Sequence, residues 1–239
     1  MEVPHHWSFK IGAVMSGGLL KYYLGANVEA FSTTRDASLP YPVTTGHQVH
    51  GSLVAEVRRP GMQRDELQGF DAQVTNLSGL AIGVRTADCV PVLLYDADNH
   101  AIAAIHSGWR GTVQAISQVT INRMSALYGT RASALSAVIG PCIAFDSFQV
   151  GEELVEQFRS CGFRMDEIHR YDGPNREDMA GGHHIDLVGA NRELLLDAGL
   201  DPSRIHVCGI DTYRDLNFFS ARREGTACGR IINSIKITD

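Results

Sequence analysis

The chain has 239 residues, of which 44% are hydrophobic and 20% charged, and its formal net charge at pH 7 is -6. These values are ordinary for a globular protein. The acidic balance and the lack of a basic stripe argue against nucleic acid as a partner, because nucleic-acid binding needs clustered Lys and Arg.

The sequence has neither the pattern of a signal peptide nor an apolar run of membrane-spanning length. A soluble cytoplasmic protein with no membrane partner is therefore expected. The five cysteines are scattered, and in such a protein they are expected to be thiols. No repeat or linker divides the chain, so residues 1–239 are expected to form a single domain. The oligomeric state stays open, and a homodimer is one of the assemblies allowed.

Six apolar runs predict buried strands, and three segments with apolar residues at helical spacing predict helices. Turn-forming residues at 96–99 predict a hairpin between the second and third strands. The predicted strands are residues 80–84, 90–95, 101–105, 137–139, 205–210 and 231–237, and the predicted helices are residues 113–127, 152–159 and 186–198. Strands and helices do not alternate strictly, which favours an α+β fold with mixed β-sheets flanked by helices.

Several common catalytic motifs are missing from the sequence. It contains no Gly-x-Gly-x-x-Gly, no Walker loop, no His-Glu-x-x-His and no Cys-x-x-Cys. What remains is a set of polar residues at the ends of apolar runs. The predicted hairpin brings its two outer ends together, so Cys89 and His106 become neighbours.

A thiolate beside an imidazole suits Zn²⁺, which takes nitrogen and sulfur ligands and needs about three protein ligands at a catalytic site. His50 is the best third ligand by residue type, with His47 as an alternative. Spacing alone places neither of them. Asp88 is a candidate acceptor that orients a ligating His, or a proton carrier. Cu²⁺ is a second metal that a His/Cys site accepts.

The segment that follows His106 reads Ser-Gly-Trp-Arg-Gly-Thr. Thr112 is expected to cap the next helix, and Arg110 to bind phosphate or carboxylate. The alternatives are structural: Cys89 as a core residue and the Gly-Trp-Arg-Gly segment as a packed turn. His183 and His184 are interpreted as exposed loop residues.

Seven stretches across nearly the whole chain make the sequence similar to the YfiH-type family. Members of that family are called multicopper polyphenol oxidoreductase, laccase-domain or purine nucleoside phosphorylase proteins, and they include peptidoglycan editing factors. The matching stretches are residues 32–35, 48–51, 71–75, 86–92, 106–112, 139–143, and 218–223 continuing to 229–230.

The resemblance implies Zn²⁺ held by His50, Cys89 and His106, in a fold like the catalytic domain of cytotoxic necrotizing factor. It also implies phosphorolysis of adenosine, inosine, guanosine and methylthioadenosine, with adenosine deamination as a companion reaction. The small-molecule partners would be a purine nucleoside and phosphate. Arg35 matches an arginine near the substrate in the family, but Asp-Ala-Ser follows it here where the family has Gly-Gly.

The predicted catalytic residues are thus Cys89, Asp88 and Arg35, and the predicted substrate and phosphate contacts are Arg35, Arg110 and Gln48. Three other functions stay open. Cys89 beside a His is also the pattern of a nucleophile, as in an amidase that edits peptidoglycan precursors. A copper-dependent polyphenol oxidoreductase is disfavoured, because the chain has 10 His and no His-x-His pair. A non-catalytic binding module is the last alternative.

Overall fold

The computed structural model describes residues 14–173 and 182–238. Within this part of the chain there are fifteen strands and six α-helices. The strands are β1 (Val14–Ser16), β2 (Leu19–Tyr22), β3 (Val28–Thr33), β4 (Thr44–Thr45), β5 (Val54–Glu56), β6 (Ala72–Thr75), β7 (Ala81–Thr86), β8 (Val90–Asp96), β9 (Ala101–Ser107), β10 (Leu135–Ile139), β11 (Gln149–Val150), β12 (His169–Asp172), β13 (Gly182–Ile185), β14 (Ile205–Val207) and β15 (Ile231–Ile237). The helices are α1 (Trp109–Val113), α2 (Ile116–Tyr128), α3 (Glu152–Ser160), α4 (Met165–Ile168), α5 (Leu187–Asp197) and α6 (Ala221–Glu224).

The strands form three sheets. The outer sheet has the order β1-β2-β3-β15-β7-β4, the central sheet has the order β14-β10-β8-β9-β6-β5, and a small sheet has the order β11-β13-β12. Both large sheets combine parallel and antiparallel pairs, since β4 runs parallel to β7 and β5 runs parallel to β6. The α+β prediction with mixed sheets and flanking helices is therefore confirmed.

The central sheet is buried on both faces. In β8, Val92 and Leu94 belong to the core beneath the helices, whereas Leu93 and Tyr95 belong to the core between the two large sheets. Helix α2 contacts β9 on the first face, and β7 and β15 contact β9 on the second. Burial on both faces explains why these strands read as continuous apolar runs.

The predicted hairpin is confirmed, because β8 and β9 pair in antiparallel register from Asp96↔Ala101 to Val90↔Ser107. The side chain of Asp96 accepts hydrogen bonds from the backbone N–H groups of Asp98 and Asn99 and so closes the turn. The runs at 80–84, 137–139 and 231–237 are also strands. The run at 205–210 is shorter than predicted: β14 ends at Val207, and Gly209 then turns the chain with a φ of +70°.

Two of the three predicted helices correspond to α3 and α5, and the third begins earlier than its apolar spacing indicates. Gly108 is the N-cap residue of α1, so Thr112 lies inside the helix and the prediction that it caps the helix is wrong. The extended backbone of Gly108 starts the helix directly after β9. The Thr112 hydroxyl donates to the carbonyl of Gly108, one helical turn back. Ala115, with a φ of +53°, then separates α1 from α2.

No helix in the described ranges, 14–173 and 182–238, has the length and apolar character needed to cross a membrane.

Candidate metal and active site

The ligand atoms of His50, Cys89 and His106 all lie within 4.8 Å of one another. Cys89 directly precedes β8 and His106 lies in β9, whose register pairs Val90 with Ser107, so the hairpin brings the thiol and the imidazole together. The imidazole rings of His50 and His106 meet edge to face, with 4.9 Å between their centroids. His50, and not His47, belongs to this cluster.

The spacing of the three groups fits a tetrahedral metal. Zn–N distances of about 2.0 Å and Zn–S distances of about 2.3 Å place neighbouring ligand atoms roughly 3.3 to 3.5 Å apart. Small side-chain movements within a 4.8 Å cluster reach that spacing. One thiol and two imidazoles leave a fourth tetrahedral position open. The donor set therefore fits a metal with an exchangeable position.

Asp71 connects two of the three potential ligands. Its carboxylate is fully buried, and the Nδ1 atom of His106 lies 2.7 Å from its Oδ1 atom. Because a carboxylate only accepts, Nδ1 carries the proton, and Nε2 is the ring nitrogen available to a metal. The same carboxylate accepts hydrogen bonds from the backbone N–H groups of Val49, His50 and Gly51, at 2.8 to 3.0 Å.

These three hydrogen bonds hold the 49–51 loop in place. His50 has a φ of +62°, a left-handed conformation that is uncommon for residues other than glycine. Such conformations persist where surrounding contacts fix them and are concentrated at functional sites. Asp71 begins one of the family-like stretches but was not among the predicted site residues. Its signal in the sequence is an acidic residue at the start of an apolar strand.

The charges of Cys89 and His106 are strongly coupled. Burial by itself raises the pKa of Cys89, but the nearby imidazoles of His106 and His50 outweigh it and lower that pKa to about 6. Burial lowers the pKa of His106, but the Cys89 thiolate and the Asp71 carboxylate reverse the effect and raise it to about 9. The metal-free site therefore favours a thiolate beside an imidazolium. A metal that binds Nε2 must displace the proton there.

Gly108 keeps space open beside the potential ligands. A Cβ atom at this position would lie 3.0 Å from the Cys89 sulfur and 3.3 Å from the Cδ2 atom of His50. Its φ of -65° is accessible to any residue, so the glycine serves the close approach and not the backbone conformation.

Asp88 is buried but hydrogen-bonded to neither His50 nor His106. Its carboxylate accepts one hydrogen bond from the Thr212 hydroxyl at 2.7 Å and one from the backbone N–H of Arg222 at 2.6 Å. Its φ is +85°. Asp88 thus fastens the segment around residues 212–222 beside the Cys89 end of β8, and the acceptor that orients His106 is Asp71.

Each of the other predicted contact residues has a partner outside the metal cluster. The amide of Gln48 makes two hydrogen bonds of 2.8 Å with the backbone of Arg85, which ties the segment before His50 to β7. Arg35 forms an ion pair of 2.7 Å with Glu224 and donates to the Leu216 carbonyl. Arg110 is exposed, and its guanidinium lies 4.3 Å from the centre of the Trp109 ring.

The interpretation of His183 and His184 as exposed loop residues is wrong. His184 lies in β13 between β11 and β12, only 1% of its surface is exposed, and Nδ1 donates to the carbonyl of Phe145. His183 lies in the same strand, half-buried, with Nδ1 2.9 Å from Nε2 of His169. The apolar pattern did not predict this small sheet because polar residues form most of its strands.

Comparison with known proteins places these residues in a family. Residues 25–238 match the family model described as "Multi-copper polyphenol oxidoreductase laccase". The chain belongs to this laccase family.

Three similar proteins of known name align with most of the chain. A purine nucleoside phosphorylase of Bacteroides thetaiotaomicron is 43% identical over 203 residues, which are 83% of this chain and 73% of that protein. The adenosine deaminase RL5 of an unknown prokaryotic organism is 39% identical over 195 residues, 79% of this chain and 72% of its own. A purine nucleoside phosphorylase of Deinococcus radiodurans is 32% identical over 249 residues, 97% of this chain and 88% of its own.

Two solved structures share the fold. The protein YfiH of Bacillus licheniformis superposes with a TM-score of 0.82 at 22% identity, covering 93% of this chain and 97% of that one. YlmD of Geobacillus stearothermophilus superposes with a TM-score of 0.80 at 22% identity, covering 95% and 98%. The predicted resemblance to the YfiH-type family and its fold is confirmed.

Proposed function

We propose that this protein is a zinc-dependent purine nucleoside phosphorylase. Its substrates would be adenosine, inosine, guanosine and methylthioadenosine, with adenosine deamination as a companion reaction. The observation that carries the proposal is the His50–Cys89–His106 cluster, in which Asp71 fixes the tautomer of His106. The names of the relatives, purine nucleoside phosphorylase and adenosine deaminase, support the choice of substrate.

The donor set favours Zn²⁺ over a multicopper arrangement. One thiolate and two imidazoles with an open fourth position match catalytic zinc sites. Multicopper chemistry needs several metals. Within residues 14–173 and 182–238, this cluster is the one group of three or more potential ligands. Zn²⁺ held there would supply Lewis-acid chemistry to a ligand at the open position.

The chain's own groups supply orientation and charge. Asp71 keeps a proton on Nδ1 of His106 and holds the 49–51 loop, so two potential ligands are fixed by one carboxylate. Phosphorolysis also needs a site for the phosphate anion. Arg110 is our first candidate, because it follows His106 closely in the chain and has an exposed guanidinium. Arg35 is the second candidate, and it would have to exchange its ion pair with Glu224 for phosphate.

The proposal is tested with the full-length protein loaded with Zn²⁺. Incubation with inosine and phosphate should release hypoxanthine and ribose 1-phosphate, measured by chromatography. Omitting phosphate should stop base release, whereas conversion of adenosine to inosine without phosphate would report the companion deamination. Intact nucleosides after long incubation, with Zn²⁺ bound at one equivalent, would contradict the proposal.

A second candidate rests on the lowered pKa of Cys89, about 6, between two imidazoles. A thiolate in that position is also suited to attack a carbonyl, as in a Cys/His amidase that edits peptidoglycan precursors. The two functions differ in their need for metal. Metal-free protein that cleaves amides and is inactivated by alkylation would favour the nucleophile, whereas activity that depends on Zn²⁺ favours the ligand.

A further inference from the structure

A pocket of about 330 Å³ includes in its lining Trp109, three residues after the potential metal ligand His106. Its walls come from the start of α1, from the segment that contains β11 and the first turns of α3, and from Arg222. The volume lies in the range of small-molecule sites, roughly 300 to 1,000 Å³. Its lining contains none of the residues proposed to bind the metal or phosphate.

Two walls of the pocket are joined to residues that flank the cluster. Trp109 follows Gly108, the residue whose added Cβ would lie 3.0 Å from the Cys89 sulfur. On the other side, the backbone N–H of Arg222 donates to the Asp88 carboxylate at 2.6 Å, and Asp88 directly precedes Cys89. A ligand in the pocket would therefore lie on the α1 side of the cluster, next to the Gly108–Trp109 segment.

The walls combine aromatic rings with groups of balanced charge. Trp109 and Phe148 both line the pocket, and the Arg222 guanidinium lies 5.6 Å from the centre of the Phe148 ring. Glu153 and Gln157 belong to the polar part of the lining. Glutamine amides offer both donors and acceptors.

This combination selects the class of ligand. Aromatic walls stabilise planar rings by stacking, and amide groups pair with the edges of heterocycles. The Glu153 carboxylate offsets the Arg222 charge and disfavours an anion such as phosphate. A neutral, planar ring with hydrogen-bonding edges can stack on the aromatic residues and form hydrogen bonds with the polar residues of the lining.

We infer that this pocket receives the purine base of the substrate, with Trp109 and Phe148 as its stacking surfaces and Gln157 at its exposed rim. The inference rests on the proposed nucleoside substrate. It goes further by placing the base on the α1–α3 side of the cluster and by naming the residues that would determine base specificity.

The binding test uses free adenine, which cannot undergo phosphorolysis. The chain has two tryptophans, Trp7 and Trp109, so a Trp7→Phe variant leaves Trp109 as the fluorescent reporter. Adenine should quench this fluorescence in a saturable manner. By calorimetry, Phe148→Leu and Gln157→Phe should each weaken adenine binding about 10-fold. Tyr23→Leu, which removes an exposed aromatic ring elsewhere, should bind adenine like the wild type.

Gln157→Phe keeps the test valid if Phe148→Leu folds poorly, because Gln157 lies on the exposed face of α3. In zinc-loaded enzyme it should raise the KM for nucleoside about 10-fold without changing zinc content. Adenine that leaves Trp109 fluorescence unchanged, or that binds both variants as tightly as wild type, overturns the inference. Binding of catechol, a small phenol of the kind that a polyphenol oxidoreductase would use, with no binding of adenine would also overturn it.

The two proposals fail in different ways. Adenine binding in this pocket without any phosphate-dependent base release would contradict the phosphorylase proposal and leave the base pocket standing. Base release with an unchanged KM in Gln157→Phe would contradict the base pocket and leave the phosphorylase proposal standing.

Discussion

Asp71 and His106 are joined by a hydrogen bond of 2.7 Å, and the Asp71 carboxylate also accepts the backbone N–H of His50. The Asp71→Asn substitution replaces one carboxylate oxygen by an amide NH₂ group, so it would disturb the positions of both His106 and His50. Removing such a partner of a metal-binding His typically costs 10- to 100-fold in affinity. We therefore expect the Kd for Zn²⁺, measured by competition with a chelator, to rise by about that factor.

The matched control for Asp71→Asn is Asp96→Asn. Asp96 is equally buried and also accepts backbone N–H groups, but it lies at the turn of the β8–β9 hairpin, away from the metal ligands. It should lower the melting temperature and leave the Kd for Zn²⁺ unchanged. Equal Kd values for the two variants would show that Asp71 acts only through stability.

Gly108→Ala tests the close approach beside Cys89. The added methyl group would lie 3.0 Å from the Cys89 sulfur, so either the sulfur or the start of α1 must move. We expect weaker Zn²⁺ binding and lower activity, with a stability loss of about 1–3 kcal/mol, as for other overpacked sites. Gly173→Ala is the control, because a Cβ there meets no atom within 4 Å. Unaltered zinc affinity in Gly108→Ala would contradict the prediction.

Metal binding should protect Cys89 from alkylation. Cys161 is exposed, so the experiment uses a Cys161→Ser background. Burial raises the pKa of Cys208 to about 12 and that of Cys142 well above its usual value, so both are expected to react slowly. Peptide mass spectrometry should find Cys89 modified by iodoacetamide in chelator-treated protein and unmodified with Zn²⁺ bound. Equal modification in both samples would count against Cys89 as a ligand.

Asp88→Ala should show whether Asp88 holds the segment around residues 212–222 in place or helps to bind the metal. The substitution leaves the Thr212 hydroxyl and the Arg222 N–H without their acceptor. A lost buried partner typically costs about 1–3 kcal/mol, which denaturant unfolding can measure. Zinc content should stay near one equivalent, whereas nucleoside turnover should fall because the Arg222 wall is no longer fixed. Asp88→Asn keeps one acceptor oxygen and should lie between wild type and Asp88→Ala in stability. Loss of zinc in Asp88→Ala would instead place Asp88 among the groups that hold the metal.

The sequence was most informative about the central sheet. Strands buried on both faces appear as uninterrupted apolar runs, and the turn at 96–99 fixed their pairing, so the approach of Cys89 to His106 followed from local pattern alone. The strands before residue 80 were not predicted. Several of them, such as β1 and β4, are two or three residues long and lie at the edges of the outer sheet, where apolar periodicity is weak.

The position of His50 could not be predicted from spacing because it depends on Asp71, which is 21 residues away in sequence. Hydrogen bonds from side chains to residues so far away in the sequence leave no periodic pattern in that sequence. The same reason explains why the His106 partner was sought in Asp88, the nearest acidic residue to Cys89. Sequence proximity pointed to Asp88, whereas the sheet register brings Asp71 beside β9.

The three potential ligands differ in how firmly the fold holds them. His106 lies within the doubly covered central sheet and Cys89 directly before its interior strand β8, whereas His50 is exposed on a loop held by a few hydrogen bonds. If these residues hold a metal, His50 is the ligand whose release the fold opposes least. Opening of the 49–51 loop would then govern how fast the metal exchanges, whereas Cys89 and the buried His106 would contribute more to the affinity.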